Sequence, residues 1–162
     1  MDQKCVLIKV PVVVGIGHSQ VLIVTKIPLQ PPAFEIKDID KEVIIDSCNV
    51  VNNKVIINAT LRKNINFKTF EHKDIFDGNE RVCGDVRHCT VRIPFAAFIE
   101  VPGAQEGQDC QIESAEVEGE VDELIDETKD CTFETLLEKT IVKIVAKVTF
   151  TDQIWVDKCH KD

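Results

Sequence analysis

The sequence predicts an all-β protein: a single-domain antiparallel β-sandwich, jelly-roll-like, with a β-rich N-terminal arm. Apolar and polar residues alternate with a period of two along residues 54–67 and again along 140–151. Turn signals separate these and other β-branched segments, and helical periodicity is nearly absent. Alternation of this kind buries one face of a strand. Several such strands with few helices are typical of a sandwich or a barrel-like domain.

The N-terminal region, residues 1–27, is predicted to be a strand pair or an assembly arm. Segments 6–14 and 20–27 are rich in Val and Ile and flank a Gly-Ile-Gly-His-Ser sequence that we interpret as a turn. The proline-rich residues 28–32 then form a stiff connector. The sandwich is expected over residues 28–156, and residues 157–162 form a C-terminal tail.

The middle of the chain predicts two strands around a tight turn. Asn52 and Asn53 separate segment 43–51 from segment 55–67, which is a hairpin signal. In the second segment one face is apolar, and its members are Val55, Ile57, Ala59, Leu61, Ile65 and Phe67. A shorter run, 88–95, contains Pro94 near its end, which favours an edge strand or a bend.

The C-terminal third predicts an acidic strand followed by an apolar one. Residues 110–124 change their apolar face midway, as a β-bulge requires. Residues 130–139 carry a weak helical pattern of one or two turns through Phe133, Leu136 and Leu137. Residues 140–151 form the final strand, whose buried face is Val142, Ile144, Ala146, Val148 and Phe150.

The charge excludes some partners. The chain has 28 acidic and 19 basic residues, a formal net charge of −9. An acidic surface repels nucleic acid phosphates and anionic membranes, so neither is expected as a partner. The N-terminus has neither a basic cluster nor a small-residue cleavage site, so we expect synthesis in a cytoplasm without a signal peptide.

Seven cysteines in 162 residues are the main candidates for function, and an odd number cannot all pair within one chain. Three interpretations stay open: buried inert thiols, intrachain bridges with one thiol left over, and bonds between subunits. The predicted intersubunit candidates are Cys5 and Cys159 near the termini, followed by Cys48 and Cys83. The other disulfide or buried thiols are Cys89, Cys110 and Cys131.

No enzymatic or metal chemistry is predicted. The best metal candidate is Cys83, His88 and Cys89, extended by Cys159 and His160, but it lacks the closely spaced cysteine pair of structural zinc sites. The acidic residues 113–127 lack the pattern of a calcium loop. We therefore predict no catalytic residue, no bound metal and no cofactor.

Four segments, taken in order, resemble the SPOCS domain of spore coat and exosporium morphogenetic proteins. They are VPVVVG at 10–15, KIPLQPPAFEI at 26–36, KVIINATL at 54–61 and IPFAAFIEVPGA at 93–104. The resemblance covers about residues 10–156. The chain departs from the family pattern at Ala59, where glycine is common, and at Asn66-Phe67, where tyrosines are usual.

The resemblance implies a β-rich, non-enzymatic structural protein of the endospore surface, located in the coat, the exosporium or an appendage. It would be made in the mother-cell cytoplasm and oxidised when that cell lyses. We expect it to assemble with itself, and with other spore-coat proteins, into a layer or fibre stabilised by intersubunit disulfides. The alternative is a monomeric adaptor that docks onto a morphogenetic scaffold.

Overall fold

Seven β-strands make up the fold of residues 5–157, the part of the chain that the computed structural model describes. They are β1 (Cys5–Val51), β2 (Lys54–Thr69), β3 (His72–Phe76), β4 (Asn79–Cys83), β5 (Val86–Glu100), β6 (Asp109–Glu127) and β7 (Phe133–Asp157). Within this part of the chain no helix is long and apolar enough to cross a membrane. The all-β prediction is confirmed, whereas the weak helix at 130–139 is wrong because Phe133 begins β7.

Five strands form one antiparallel sheet in the order β5-β2-β1-β7-β6, and β3 and β4 form a separate hairpin. The long strand β1 has two partners. Its first part pairs with β7 from Cys5 to Pro28, and its second part pairs with β2 from Ala33 to Val51. The change of partner occurs in the proline-rich segment, which contains a cis peptide bond at Gln30-Pro31.

The two halves of this sheet fold onto each other, so the predicted antiparallel sandwich is confirmed. One layer contains β5, β2 and the second part of β1; the other contains the first part of β1, β7 and β6. Buried residues of both layers form one apolar cluster: Val55, Ile57, Ala59 and Leu61 of β2, Ala97 and Ile99 of β5, and Val142, Ile144, Ala146 and Val148 of β7.

The strand pair predicted within residues 1–27 is wrong. Residues 5–28 run as one strand along β7, with a bulge between Val13 and Gly15 in place of a turn. Gly17 does not form a turn, and there is no space for a side chain at its position. A Cβ atom there would lie 2.5 Å from Ile99 Cγ2 and 2.5 Å from the Glu100 carbonyl oxygen. Glycine is needed at this point because the opposite layer approaches the backbone.

Other predicted features are confirmed. The turn at Asn52-Asn53 connects β1 to β2, with Asn53 at a φ of 60°. The run containing Pro94 lies in β5, which is an edge strand. The acidic strand β6 has register shifts at 112/114 and 117/119, which are the bulges that its change of face required.

Candidate functional site

One pair of cysteines joins the two layers. Cys48 of β1 and Cys110 of β6 form an intrachain disulfide, with Cα atoms 6.0 Å apart and a sequence separation of 62 residues. The sequence placed Cys48 among the candidates for links between subunits, and this is corrected. Cys48 lies on the inner face of its layer and packs against the apolar core, where Cys110 is its neighbour.

Cys5 is exposed at the start of β1. Its Sγ donates a hydrogen bond to Asp157 Oδ1 at 3.0 Å. This bond to a carboxylate, with a smaller contribution from desolvation, raises the pKa of the Cys5 thiol. The thiolate is the reactive form, so Asp157 restrains the reactivity of an otherwise accessible cysteine.

The other unbonded thiols among residues 5–157 differ in exposure. Cys131 is exposed in the turn before β7, and Cys83 is partly exposed at the end of β4. Cys89 packs against the second apolar cluster, and burial together with the charge of Glu138 raises its pKa. Cys159, and with it His160, lies outside the described residues.

A two-stranded ribbon extends beyond the sandwich at the end that carries Cys5. It consists of residues 5–13 of β1 paired with residues 149–157 of β7. β6 pairs with β7 only as far as Asp109 opposite Thr149, so residues 150–157 have no strand on their other side within the described chain. All eight side chains of 150–157 are exposed, including Phe150, Ile154 and Trp155.

Few residues of the described chain cover the apolar side chains of this ribbon. Two-stranded structures are marginal alone in water, and apolar residues exposed on them are typical of a surface that contacts another molecule. The segment predicted as an arm, residues 1–27, supplies one strand of this ribbon, and the end of β7 supplies the other.

The candidate cysteine-histidine metal site is not assembled. Among residues 5–157 one cluster of potential metal ligands occurs, and it consists of Glu120, Asp122 and Glu138, not of Cys83, His88 and Cys89. In the strand register Cys83 lies opposite His72, not His88. The Cys89 side chain packs against the second apolar cluster of the core.

The acidic cluster belongs to an ion network between the layers. Lys63 Nζ lies 2.9 Å from Glu138 Oε2 and 3.4 Å from Glu120 Oε2, and it donates a hydrogen bond to Thr140 Oγ1 at 2.7 Å. Lys41 Nζ lies 2.7 Å from the same Glu120 oxygen. Because two ammonium groups already occupy the space among the carboxylates, the arrangement is an ion network and not a metal centre.

The carboxylates of this network titrate differently. Desolvation, followed by the hydrogen bond and the charge of Glu120, raises the pKa of Asp122 to about 7. Desolvation acts on Glu120 too, but its hydrogen bonds and the charges of Lys41 and Lys63 outweigh it and lower the pKa of Glu120. Asp122 is therefore the carboxylate of this pair that binds a proton first as the pH falls, and its hydrogen bond with Glu120 favours that protonated form.

The ion pair between Lys63 and Glu138 was not predicted from the sequence, although both residues fall at buried positions of the alternating pattern. Lys63 lies between Leu61 and Ile65 in the buried phase of β2, and all three are fully buried. Glu138 lies in the same way between Leu136 and Thr140 in β7. Two opposite charges in the buried phases of two strands indicate an ion pair between them.

The surface charge is concentrated on one edge strand. β6 carries nine acidic residues and no basic one, whereas the rest of the chain has nineteen of each sign. The whole net charge of the protein therefore resides on β6. This strand, at one end of the sheet order, pairs only with β7 among the described residues.

Two comparisons with known proteins find matches to this chain. A sequence model of the family described as SipL, SPOCS domain, matches residues 32–124. Exosporium protein C of Clostridium sporogenes (strain ATCC 15579) is 29% identical over 108 residues, which cover 59% of this chain and 38% of that protein. The matched region thus spans well under half of the relative's length. No solved structure matches the chain.

Proposed function

The chain belongs to the SPOCS-domain family, and from this premise we propose that it is a self-assembling structural protein of the endospore surface. Copies of the chain would form a layer or a fibre that disulfides between subunits then stabilise. The name of the Clostridium sporogenes relative, an exosporium protein, supports the location. Synthesis in the mother-cell cytoplasm, with oxidation after release, fits free thiols in the newly folded chain.

The observation that carries the proposal is the position of Cys5. It is exposed at the end of a ribbon that extends from the sandwich and whose apolar side chains are uncovered. A neighbouring molecule that covers the ribbon would bring its own thiols close to Cys5. The sandwich itself has an apolar core and an internal disulfide, so Cys5 is not needed to hold the monomer together.

The covalent step joins Cys5 Sγ to a cysteine Sγ of another copy, with Cys159 as the predicted partner. Two thiols lose two protons and two electrons, and the S–S bond forms. Dioxygen accepts the electrons and protons after release of the spore, and a disulfide such as oxidised glutathione does so in a test tube. The contact between subunits forms first, and the bond then stabilises it by about 2–4 kcal/mol.

Electrophoresis of the oxidised full-length protein tests the proposal. We expect ladders that collapse to monomer when a reductant is added. The variant Cys5→Ser/Cys159→Ser should remain folded and lose the ladder, whereas the control Cys89→Ser should keep it because Cys89 faces the core. A ladder that persists in the double variant would assign the links to Cys83 or Cys131.

A monomeric adaptor is the second candidate, and the acidic edge strand favours it. Charged side chains on an edge are a common protection against strand addition. A protein that stays monomeric with and without reductant, at concentrations where electron microscopy finds no ordered assembly, would contradict self-assembly and support docking onto a scaffold.

A further inference from the structure

We propose that copies of this chain join head to tail, with the β5 edge of one copy pairing with the β6 edge of the next. This inference rests on the proposed self-assembly and specifies the surfaces that carry it. The two edges lie in different layers of the sandwich, at the two ends of the sheet order. Each copy thus offers one edge of each kind.

The β5 edge has a regular backbone that is free to pair. Among the described residues β5 pairs only with β2, in continuous register from Val86 opposite Lys68 to Glu100 opposite Lys54. No bulge interrupts this ladder, unlike those of β1 and β6. An uninterrupted edge presents a row of N–H and C=O groups to a further strand.

Pro94 divides this edge into two parts. Proline has no N–H and is tolerated in an edge strand where that group would face away from the sheet. If the nitrogen of Pro94 faces outwards, the N–H groups of residues 86, 88, 90 and 92 do so too, because alternate residues bond to the same side. Residues 86–92 form an uninterrupted stretch of this edge before Pro94, and they carry the basic side chains of the strand.

Those basic side chains are weakly paired with acids or not paired at all. Arg92 lies directly opposite Arg62 in the register. Arg62 forms an ion pair with Glu42, whereas Arg92 forms none within residues 5–157. Arg87 is 3.5 Å from Asp85, and both side chains are more than half exposed. Like charges placed opposite each other are destabilising, so an acidic strand alongside β5 would relieve this arrangement.

The β6 edge supplies such a strand. Lys147 and Lys143 of β7 lie 2.6 Å from Glu113 and 3.3 Å from Glu118, and so neutralise part of its charge. Glu116 and Glu123, in contrast, form no ion pair within residues 5–157, and their side chains are exposed. They are available to a basic strand of another molecule.

Charge also determines which edges can pair. Two β6 edges would bring two acidic strands together, and two β5 edges would bring arginines together, so both like pairings are disfavoured. Only the mixed pairing is attractive. A contact between two different surfaces of identical subunits does not close on itself as a two-fold dimer does, and it continues into an open chain unless a ring forms.

A charge swap tests this pairing. Variant A, Glu116→Lys/Glu123→Lys, replaces the two unpaired carboxylates of β6 with ammonium groups and leaves β5 basic. Variant B, Arg87→Glu/Arg92→Glu, makes β5 acidic and leaves β6 acidic. We expect each variant to sediment as a monomer at about 50 mM salt, where wild type forms large species. An equimolar mixture should recover them, because the lysines introduced in variant A then face the glutamates introduced in variant B, and the two unaltered edges face each other.

Glu71→Lys/Glu80→Lys is the matched control, since it changes the net charge as variant A does but on and beside the β3–β4 hairpin. It should assemble like wild type. A mixture that remains monomeric while wild type assembles would overturn the edge pairing and leave the proposed function intact. Wild type that stays monomeric with and without oxidant would overturn both.

Discussion

Lys63 and Glu138 face each other across the two layers of the sandwich, with 2.9 Å between Nζ and Oε2 and side chains that are 0% and 1% exposed. The pair lies between the two apolar clusters of the core, in strands β2 and β7. Neither Glu138 oxygen accepts a well-aligned hydrogen bond, so this carboxylate depends on the charge of Lys63.

Replacing one partner of this pair should destabilise the fold strongly. Lys63→Met leaves a buried carboxylate without its cation, which typically costs about 3–5 kcal/mol. Lys63→Met/Glu138→Leu removes both charges and should recover most of the loss. The free energy of unfolding in urea measures both effects. The control Lys68→Met breaks the exposed pair with Glu35 and should change it by less than about 1 kcal/mol.

Asp122 should make the fold less stable as the pH rises. Its pKa is about 7 in the folded protein and near 3.8 in the unfolded chain, so the folded state holds the proton more tightly. Its destabilising contribution to the free energy of unfolding is absent below about pH 4, grows between about pH 4 and pH 7, and reaches its full size above about pH 7. Asp122→Asn should therefore gain stability over wild type towards pH 8 and match it at pH 4. A difference independent of pH would contradict this.

Gly17 should tolerate no side chain. Gly17→Ala places a methyl group 2.5 Å from Ile99 Cγ2 and from a backbone oxygen, so the layers must separate locally. We expect a loss of about 1–3 kcal/mol, as for other overpacked cores, measured by thermal or urea unfolding. Gly119→Ala is the comparison, because its added methyl group would lie at 3.9 Å from Ile141 Cδ1 and should be accepted. Equal effects at the two positions would show that the close approach is not the cause.

Asp157 should control the reactivity of Cys5. Asp157→Ala removes the carboxylate that raises the pKa of the thiol, so more thiolate is present at pH 8. Alkylation of Cys5 by iodoacetamide, followed by peptide mass spectrometry, should become faster. Asp152→Ala removes a nearby carboxylate that does not contact Cys5, and it should leave the rate unchanged. A rate equal in both variants would contradict this role for Asp157.

The strands that alternate cleanly could be predicted from sequence. The side chains from Val55 to Phe67 and from Val142 to Val148 repeat with a period of two, and local geometry is enough to assign their faces. The bulged strand β6 was predictable for the same reason, because its apolar residues change phase.

The course of β1 could not be predicted, because its glycines have two local explanations. Gly15 and Gly17 fit a turn as well as they fit a strand that another layer approaches, and only Val101, Ile99 and Glu100 decide between them. These residues are more than 80 positions away in sequence. The pairing of Cys48 with Cys110 depends in the same way on how the layers stack.

The 47 residues of β1 contribute to both layers of the protein. If one neighbour held Cys5 and another held the β6 edge, a pull between them would pass from β1 to β6 through β7. The hydrogen bonds to β7 are then loaded together in shear instead of opening one after another. At the other end of the strand, Cys48 is fastened to Cys110 by a covalent bond. A spore surface built from such units would transmit a pull from one subunit to the next before any of them unfolds.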